Sequence, residues 1–245
     1  MNRGTEKGNA IIWILIAVGL FAALGYAFTS TSRQSTAVLT NTEANAYANQ
    51  IMAHGQELKA AVQRVSLRGC DDNEISFENN VTPGYANPYS PTNGKCHIYN
   101  SAGGGLSWWI NNNIRVPEST VTSTGNYLTH YQEDGYKHTV RFSPYNNIID
   151  MGTTDGASEA VDLVATVPFI KQEICEAINR KLGLSASLRA GTDVNGWANF
   201  GTKFIGNYTP YGSALNPNQT NREFCLNTDQ GGSTYYFYVN VLKPR

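Results

Sequence analysis

From Ala10 to Phe28 every residue is apolar, aromatic or glycine, and this run constrains the fold of the chain more than any other feature. As a helix rising 1.5 Å per residue it is about 28 Å long, close to the hydrocarbon thickness of a bilayer. Such a surface has to be covered by lipid or by other apolar helices. A cleavable secretory peptide has an apolar core of roughly 7 to 15 residues and then a small-residue cleavage site. Here the run is longer and passes directly into Thr29, Ser30 and Thr31, so retention is expected. Arg3, Lys7 and the initiator amine precede the run and only Arg33 soon follows it. The positive-inside rule then predicts a cytoplasmic N-terminus, with the remainder of the chain outside.

No proline occurs before Pro83, and the next glycine after Gly25 is Gly55. Helical periodicity continues instead. Tyr47, Ile51, Leu58, Val62 and Val65 form one apolar stripe, with Glu43, Asn49, Gln56, Lys59 and Gln63 mainly off it. Gly69 supplies a stop near Arg68. Residues 9–68 therefore read as one helix of roughly 90 Å, apolar in its first half and amphipathic in its second. Its weakest part is the Thr-, Ser- and Asn-rich join at 29–42, where helix propensity is low.

Only 15% of the 245 residues are charged and the formal net charge is -1. There is no overall basic field to attract a phosphate backbone, so nucleic acid is not expected as a partner. Cys70, Cys96, Cys175 and Cys225 form an even set behind an export-like segment and read as two disulfides. Of the three pairings the sequence-local one is favoured, Cys70 with Cys96 and Cys175 with Cys225, because each closes a loop rich in Asn, Gly and Pro. No CxxC spacing supports zinc or redox chemistry.

A short charged leader ending in Gly8, an apolar span, an amphipathic continuation and a disulfide-bonded exterior together resemble the type IV pilin and pseudopilin superfamily over the first 68 or so residues. The resemblance implies a leader at 1–8, cut by a prepilin peptidase between Gly8 and Asn9. It also implies a long helix at 9–68 with its transmembrane half at 10–28, and an exterior head at 69–245. The family usually begins its mature chain with an apolar residue and carries Glu fifth; here those positions hold Asn9 and Trp13. That departure points to a minor, tip or divergent subunit. Implied partners are copies of the chain or related pilins, and the inner membrane before assembly, with an extracellular or periplasmic filament afterwards. Gly19, Ala22, Ala23 and Gly25 allow close helix approach, and Trp13 occupies the place of the family's glutamate.

The exterior reads as α+β: one antiparallel sheet packed on the amphipathic helix, a second helix and two disulfides. Strands are expected at 75–77, 96–99 and 106–110, a hairpin at 127–142 about Asp134 and Gly135, and a strand at 147–152. A second helix is expected at 167–183, with Pro168 in its first turn, Ile170, Ile174, Ile178 and Leu182 on one stripe, and Gly183 as cap. The last strand is expected at 234–242.

No cofactor is expected. His130 and His138 flank the hairpin turn near Glu133 and Asp134, but a two-residue loop points them to opposite faces. They read as exposed strand histidines, and His54 as a packed helix residue. Strand alternation puts one of Trp108 and Trp109 on the core face. The loop 191–204, with Asp193, Asn195 and Trp197, lacks EF-hand spacing. Ser107 lacks a nucleophile motif, so no enzyme is expected. Sequons at Asn80, Asn207 and Asn218 mark surface loops in a glycosylating host. An unprocessed single-pass anchor displaying a binding domain is the competing reading.

Overall fold

A computed structural model describes residues 14–21, 39–109, 111–115, 141–146, 161–186, 203–208, 221–230 and 233–244. The chain divides into two compact units, Met1–Leu39 and Thr40–Arg245. In the first, residues 14–21 are helical.

The second unit begins with a helix, α1 (Asn41–Leu67), and its start is set by local chemistry. Thr40 is extended, and its hydroxyl accepts from the Glu43 N–H at 3.3 Å while the Glu43 carboxylate accepts from the Thr40 N–H at 3.0 Å. This reciprocal capping box satisfies two amide groups that would otherwise lack partners. The same contacts lower the Glu43 pKa. The expected single helix over 9–68 is corrected accordingly: its amphipathic half is a helix in its own right, with an N-cap at Thr40. Among the described residues no helix is long and apolar enough to cross a membrane.

The buried face of α1 comprises Ala44, Ala48, Ile51, His54, Gly55, Leu58, Ala61, Val62 and Val65. It includes most of the predicted stripe plus small residues that permit close packing. This face rests on a second helix, α2 (Gln172–Lys181), and on the sheet.

The described sheet is antiparallel, with strands β1 (Arg141–Asn146), β2 (Val161–Ile170), β3 (Glu223–Gln230) and β4 (Ser233–Lys243) in the order β1-β2-β4-β3. All ten residues of β2 are buried, Asp162 and Thr166 among them, so the strand lacks the alternation of a half-exposed one. β4 is the last strand in sequence, as expected, and lies inside the sheet between β2 and β3.

The predicted helix over 167–183 is corrected at its start. Val167–Ile170 belong to β2, and α2 begins at Gln172. Pro168 lies in β2 next to a register shift between Pro168 and Ile170, the irregularity at which a strand tolerates proline. Phe169, at that shift, has φ 56°, a left-handed conformation that is rare for a bulky residue. Its ring packs against Tyr235 and Phe237 at 5.6 and 5.3 Å, so buried aromatic contact holds the strained backbone. The chain turns here from strand into helix, and the Lys171 N–H donates to the Ile114 carbonyl at 2.9 Å. Gly183, at φ 71°, ends α2 as predicted.

Residues 70–109 form a lobe of loops instead of the predicted strands at 75–77, 96–99 and 106–110, the last of these described up to residue 109. Only a parallel bridge between Ser76 and His97 remains of that pairing. The reason is local: glycine and proline turns supply short-range bonds that compete with a ladder. The lobe is fixed to the end of α1 by two arginines, Arg64 in its last turn and Arg68 as its C-cap. Arg68 donates to the carbonyls of Ala102 and Gly103 at 2.6 and 2.8 Å, and Arg64 donates to that of Gly104. A Cβ on Gly103 would lie 2.2 Å from the His97 carbonyl, so glycine is required where these backbones meet.

Cys70 is bonded to Cys96 and Cys175 to Cys225, the sequence-local pairing. The predicted hairpin at 127–142 enters the described residues only as the start of β1, and the strand expected at 147–152 lies outside them.

Candidate assembly segment and the polar seat of α1

Two features of the described residues call for partners or chemistry beyond ordinary packing. The first is the helical stretch 14–21. Ile14, Leu15, Ile16, Val18, Leu20 and Phe21 are between 48% and 76% exposed, a dense apolar surface on eight consecutive residues. Contiguous exposed patches of this kind mark interaction or membrane sites. Among the described residues a Cβ on Gly19 would meet nothing within 4 Å. Gly8, Asn9, Trp13, Ala22, Ala23 and Gly25 lie outside the described residues.

The second feature lies where α1 crosses the sheet. Gly55 is the point of closest approach: a Cβ there would be 2.4 Å from the Tyr238 hydroxyl and 2.6 Å from Asn240 Nδ2. Alanine at position 55 is expected to push α1 off β4 and lower stability by about 1 to 3 kcal/mol, the usual cost of overpacking. Adding Tyr238→Phe, which removes the nearer of those two atoms, should recover part of that loss in urea denaturation.

Around this contact the sheet presents polar groups. Glu223 on β3 stands opposite Asn240 on β4 in register, so both side chains leave the same face. The Glu223 carboxylate accepts from Gln56 Nε2 at 2.7 Å and lies 3.8 Å from Lys59 Nζ. Burial lowers the Lys59 pKa, and the Glu223 charge opposes that change. The Tyr238 hydroxyl is pushed well above the ordinary tyrosine value by burial first and by Glu223 second, so it remains protonated. Asn240 is 0% exposed, and neither atom of its carboxamide has a hydrogen-bond partner among the described residues. Buried polar groups are nearly always paired, so this carboxamide is a conspicuous exception.

His54, one position before Gly55, is buried as expected and stacks on Trp109 at 5.0 Å. Its Nδ1 faces Glu57 at 3.6 Å. Burial lowers its pKa from 6.5, and Glu57 opposes the shift. The unfolded chain therefore takes up this proton at a higher pH than the folded chain. The contribution of the neutral imidazole is fully present above about pH 6.5 and is lost as pH falls through the folded pKa. Urea titrations at pH 8 and pH 5 should show the wild type losing more stability on acidification than His54→Gln.

Trp109 thus packs on α1, while Trp108 lies 5.0 Å from Tyr99 and 6.4 Å from Phe142. Both indoles are half-buried against the protein, so neither is a simple outward-facing aromatic. Among the described residues one group, Cys70, Glu74 and Cys96, has the proximity of metal ligands, but its two sulfurs are joined in a disulfide. Ser107 is exposed in a loop, and the sequon residues Asn80 and Asn207 are exposed as expected. His130, His138, Glu133, Asp134, Asp193, Asn195, Trp197 and Asn218 lie outside the described residues. Sequence reasoning placed Lys59 and Gln56 on the polar side of α1 and did not single out Glu223, Tyr238 or Asn240. The alternation of β4 could have placed Tyr238 and Asn240 on one face.

No protein-family model matches the chain, and no curated protein or solved structure matches it.

Proposed function

We propose that this chain is a non-enzymatic structural subunit of a type IV pilus-like or pseudopilus filament. Its apolar N-terminal segment would supply cohesion, and its disulfide-bonded head would be displayed for adhesion or cargo contact. The observation that carries this reading is the exposed apolar surface of residues 14–21, in which Gly19 has open space around it among the described residues. In lipid, or between copies, small residues let helix backbones approach closely. The two disulfides fit an oxidising, extracytoplasmic setting for the head. Processing between Gly8 and Asn9, storage in the inner membrane and export into a filament follow from the same reading.

One observation favours the competing reading, a single-pass anchor carrying a binding domain. The head forms a compact unit beginning at Thr40, and its first helix has its own N-cap, so the head needs no continuous helix from the apolar segment. The mature N-terminus separates the two readings. A chain starting at Asn9, with processing and filament assembly abolished by a bulky residue at position 8, supports the filament. An intact Met1 and indifference to that substitution support the anchor. Within the filament reading, Gly19→Leu should leave head stability unchanged and reduce the yield of sheared filaments.

A further inference from the structure

The polar seat of α1 brings together an amine, a carboxylate and a carboxamide in an arrangement that ordinary packing does not account for. Glu223 and Asn240 face each other across β3 and β4. Lys59 Nζ is 3.8 Å from the Glu223 carboxylate, with its side chain 19% exposed against 6% for Glu223. Lys59 lies one helical turn beyond Gly55, on the same face. Side chains on a helix lean toward its N-terminus, so the long Lys59 side chain runs back over Gly55. Gly55 is the position whose Cβ would sit 2.6 Å from Asn240 Nδ2. The amine, beside Glu223, and the carboxamide, beside Gly55, thus border the same α1–sheet contact.

We propose that Lys59 and Asn240 join in an intramolecular isopeptide bond, with Glu223 as the proton-transfer group. The Lys59 ammonium gives one proton to the Glu223 carboxylate, and the resulting neutral amine attacks Cγ of Asn240. A C–N bond forms from Lys59 Nζ to Asn240 Cγ, and the Cγ–Nδ2 bond breaks. The departing nitrogen takes the proton held by Glu223 and a second proton from Nζ, and leaves as ammonium. Glu223 ends as a carboxylate, and no oxidant or outside reactant enters.

Each neighbour has a part in this chemistry. Burial of Lys59 raises the fraction of neutral amine, the form that is nucleophilic. Gln56 donates to Glu223 at 2.7 Å and holds the carboxylate in position. Tyr238, two residues before Asn240 on the same face, ends at the same point beside Gly55 and retains its proton. Its O–H is the donor available to the oxygen of Asn240 as negative charge develops there. Among the described residues the carboxamide has no competing hydrogen bond that the reaction must break. Proximity of this kind replaces a bimolecular encounter with an intramolecular one. The bond would tie the first helix of the head to its last strand, whether the head serves a filament or an anchor.

The test is the intact mass of the purified chain with both disulfides formed, followed by proteolysis and tandem mass spectrometry. The expected result is a mass lower by one ammonia than the disulfide-bonded sequence, and a branched peptide linking Lys59 to Asn240. Lys59→Arg and Glu223→Gln should both restore the unmodified mass. The wild-type measurement needs no variant to fold. An unmodified wild-type mass, with Lys59 recovered in a linear peptide, overturns the proposal, as does an ammonia loss mapped to another residue. A branched peptide persisting in Glu223→Gln overturns the role given to that carboxylate.

Discussion

Replacing Cys175 and Cys225 together by alanine is expected to lower the stability of the head by about 4 kcal/mol, as an unfolded chain with a 50-residue separation is released from its cross-link. Urea denaturation of the oxidised wild type and the double variant measures it. The cysteines are 1% and 0% exposed, so the loss includes some packing as well as chain entropy. The structure offers a second reason for a large effect. Asn179 of α2 donates from Nδ2 to the Cys225 carbonyl at 2.8 Å and accepts from the Cys225 N–H at 2.8 Å. This amide occupies both backbone groups of one residue of β3, as a neighbouring strand would. The disulfide fixes α2 where those bonds can form, so loss of the cross-link loosens both. Removing Cys70–Cys96, which spans 26 residues, should cost less, about 3.5 kcal/mol in the same chain-entropy relation. A double variant of the 175–225 pair that lost under about 1 kcal/mol would show that the amide clamp and packing suffice to hold α2.

How much of this was readable from residue order depends on whether the signal is local. The α1 stripe, the Gly183 cap, the β4 run and the local disulfide pairing each lie within a short stretch, and all are present. The start of α1 is equally local, since Thr40 and Glu43 are a capping-box pair, but the apolar run upstream masks it in a reading by periodicity alone. The isoleucine repeat of α2 extends by coincidence to Ile170, and a strand buried on both faces cannot be distinguished from a helix by apolar content. β3 was missed because its sequence is polar and short, although Gly231 and Gly232 follow it as a two-residue hairpin signal. The polar seat was not readable at all. Glu223 meets Asn240 only through the β3–β4 register, and Lys59 meets Glu223 only through the placement of α1.

Phe142→Ala should cost about 4 kcal/mol, the usual range for truncating a buried phenylalanine being roughly 3 to 5. Phe142 is fully buried and stacks on Phe77 at 3.9 Å, with Tyr85, Tyr99 and Trp108 at 5.8, 6.1 and 6.4 Å. Each of those neighbours belongs to the loop lobe at 70–109, whereas Phe142 belongs to β1. The backbone follows the ring: its N–H donates to the Tyr85 hydroxyl at 3.1 Å, and its carbonyl accepts from the Phe204 N–H at 2.9 Å. A lobe with so little strand pairing keeps its place through this aromatic contact, the Arg64 and Arg68 bonds and the ion pair of Asp72 with Lys243 of β4, while the Cys70–Cys96 disulfide closes it internally. Truncation should therefore loosen the lobe selectively, with the Trp108 environment changing more than the helical signal. Phe142→Leu keeps most of the volume and should cost roughly half as much, since cavity formation adds to the lost transfer energy. Equal and small losses for the two variants would mean that the lobe is held by its other contacts, with β1 merely resting against it.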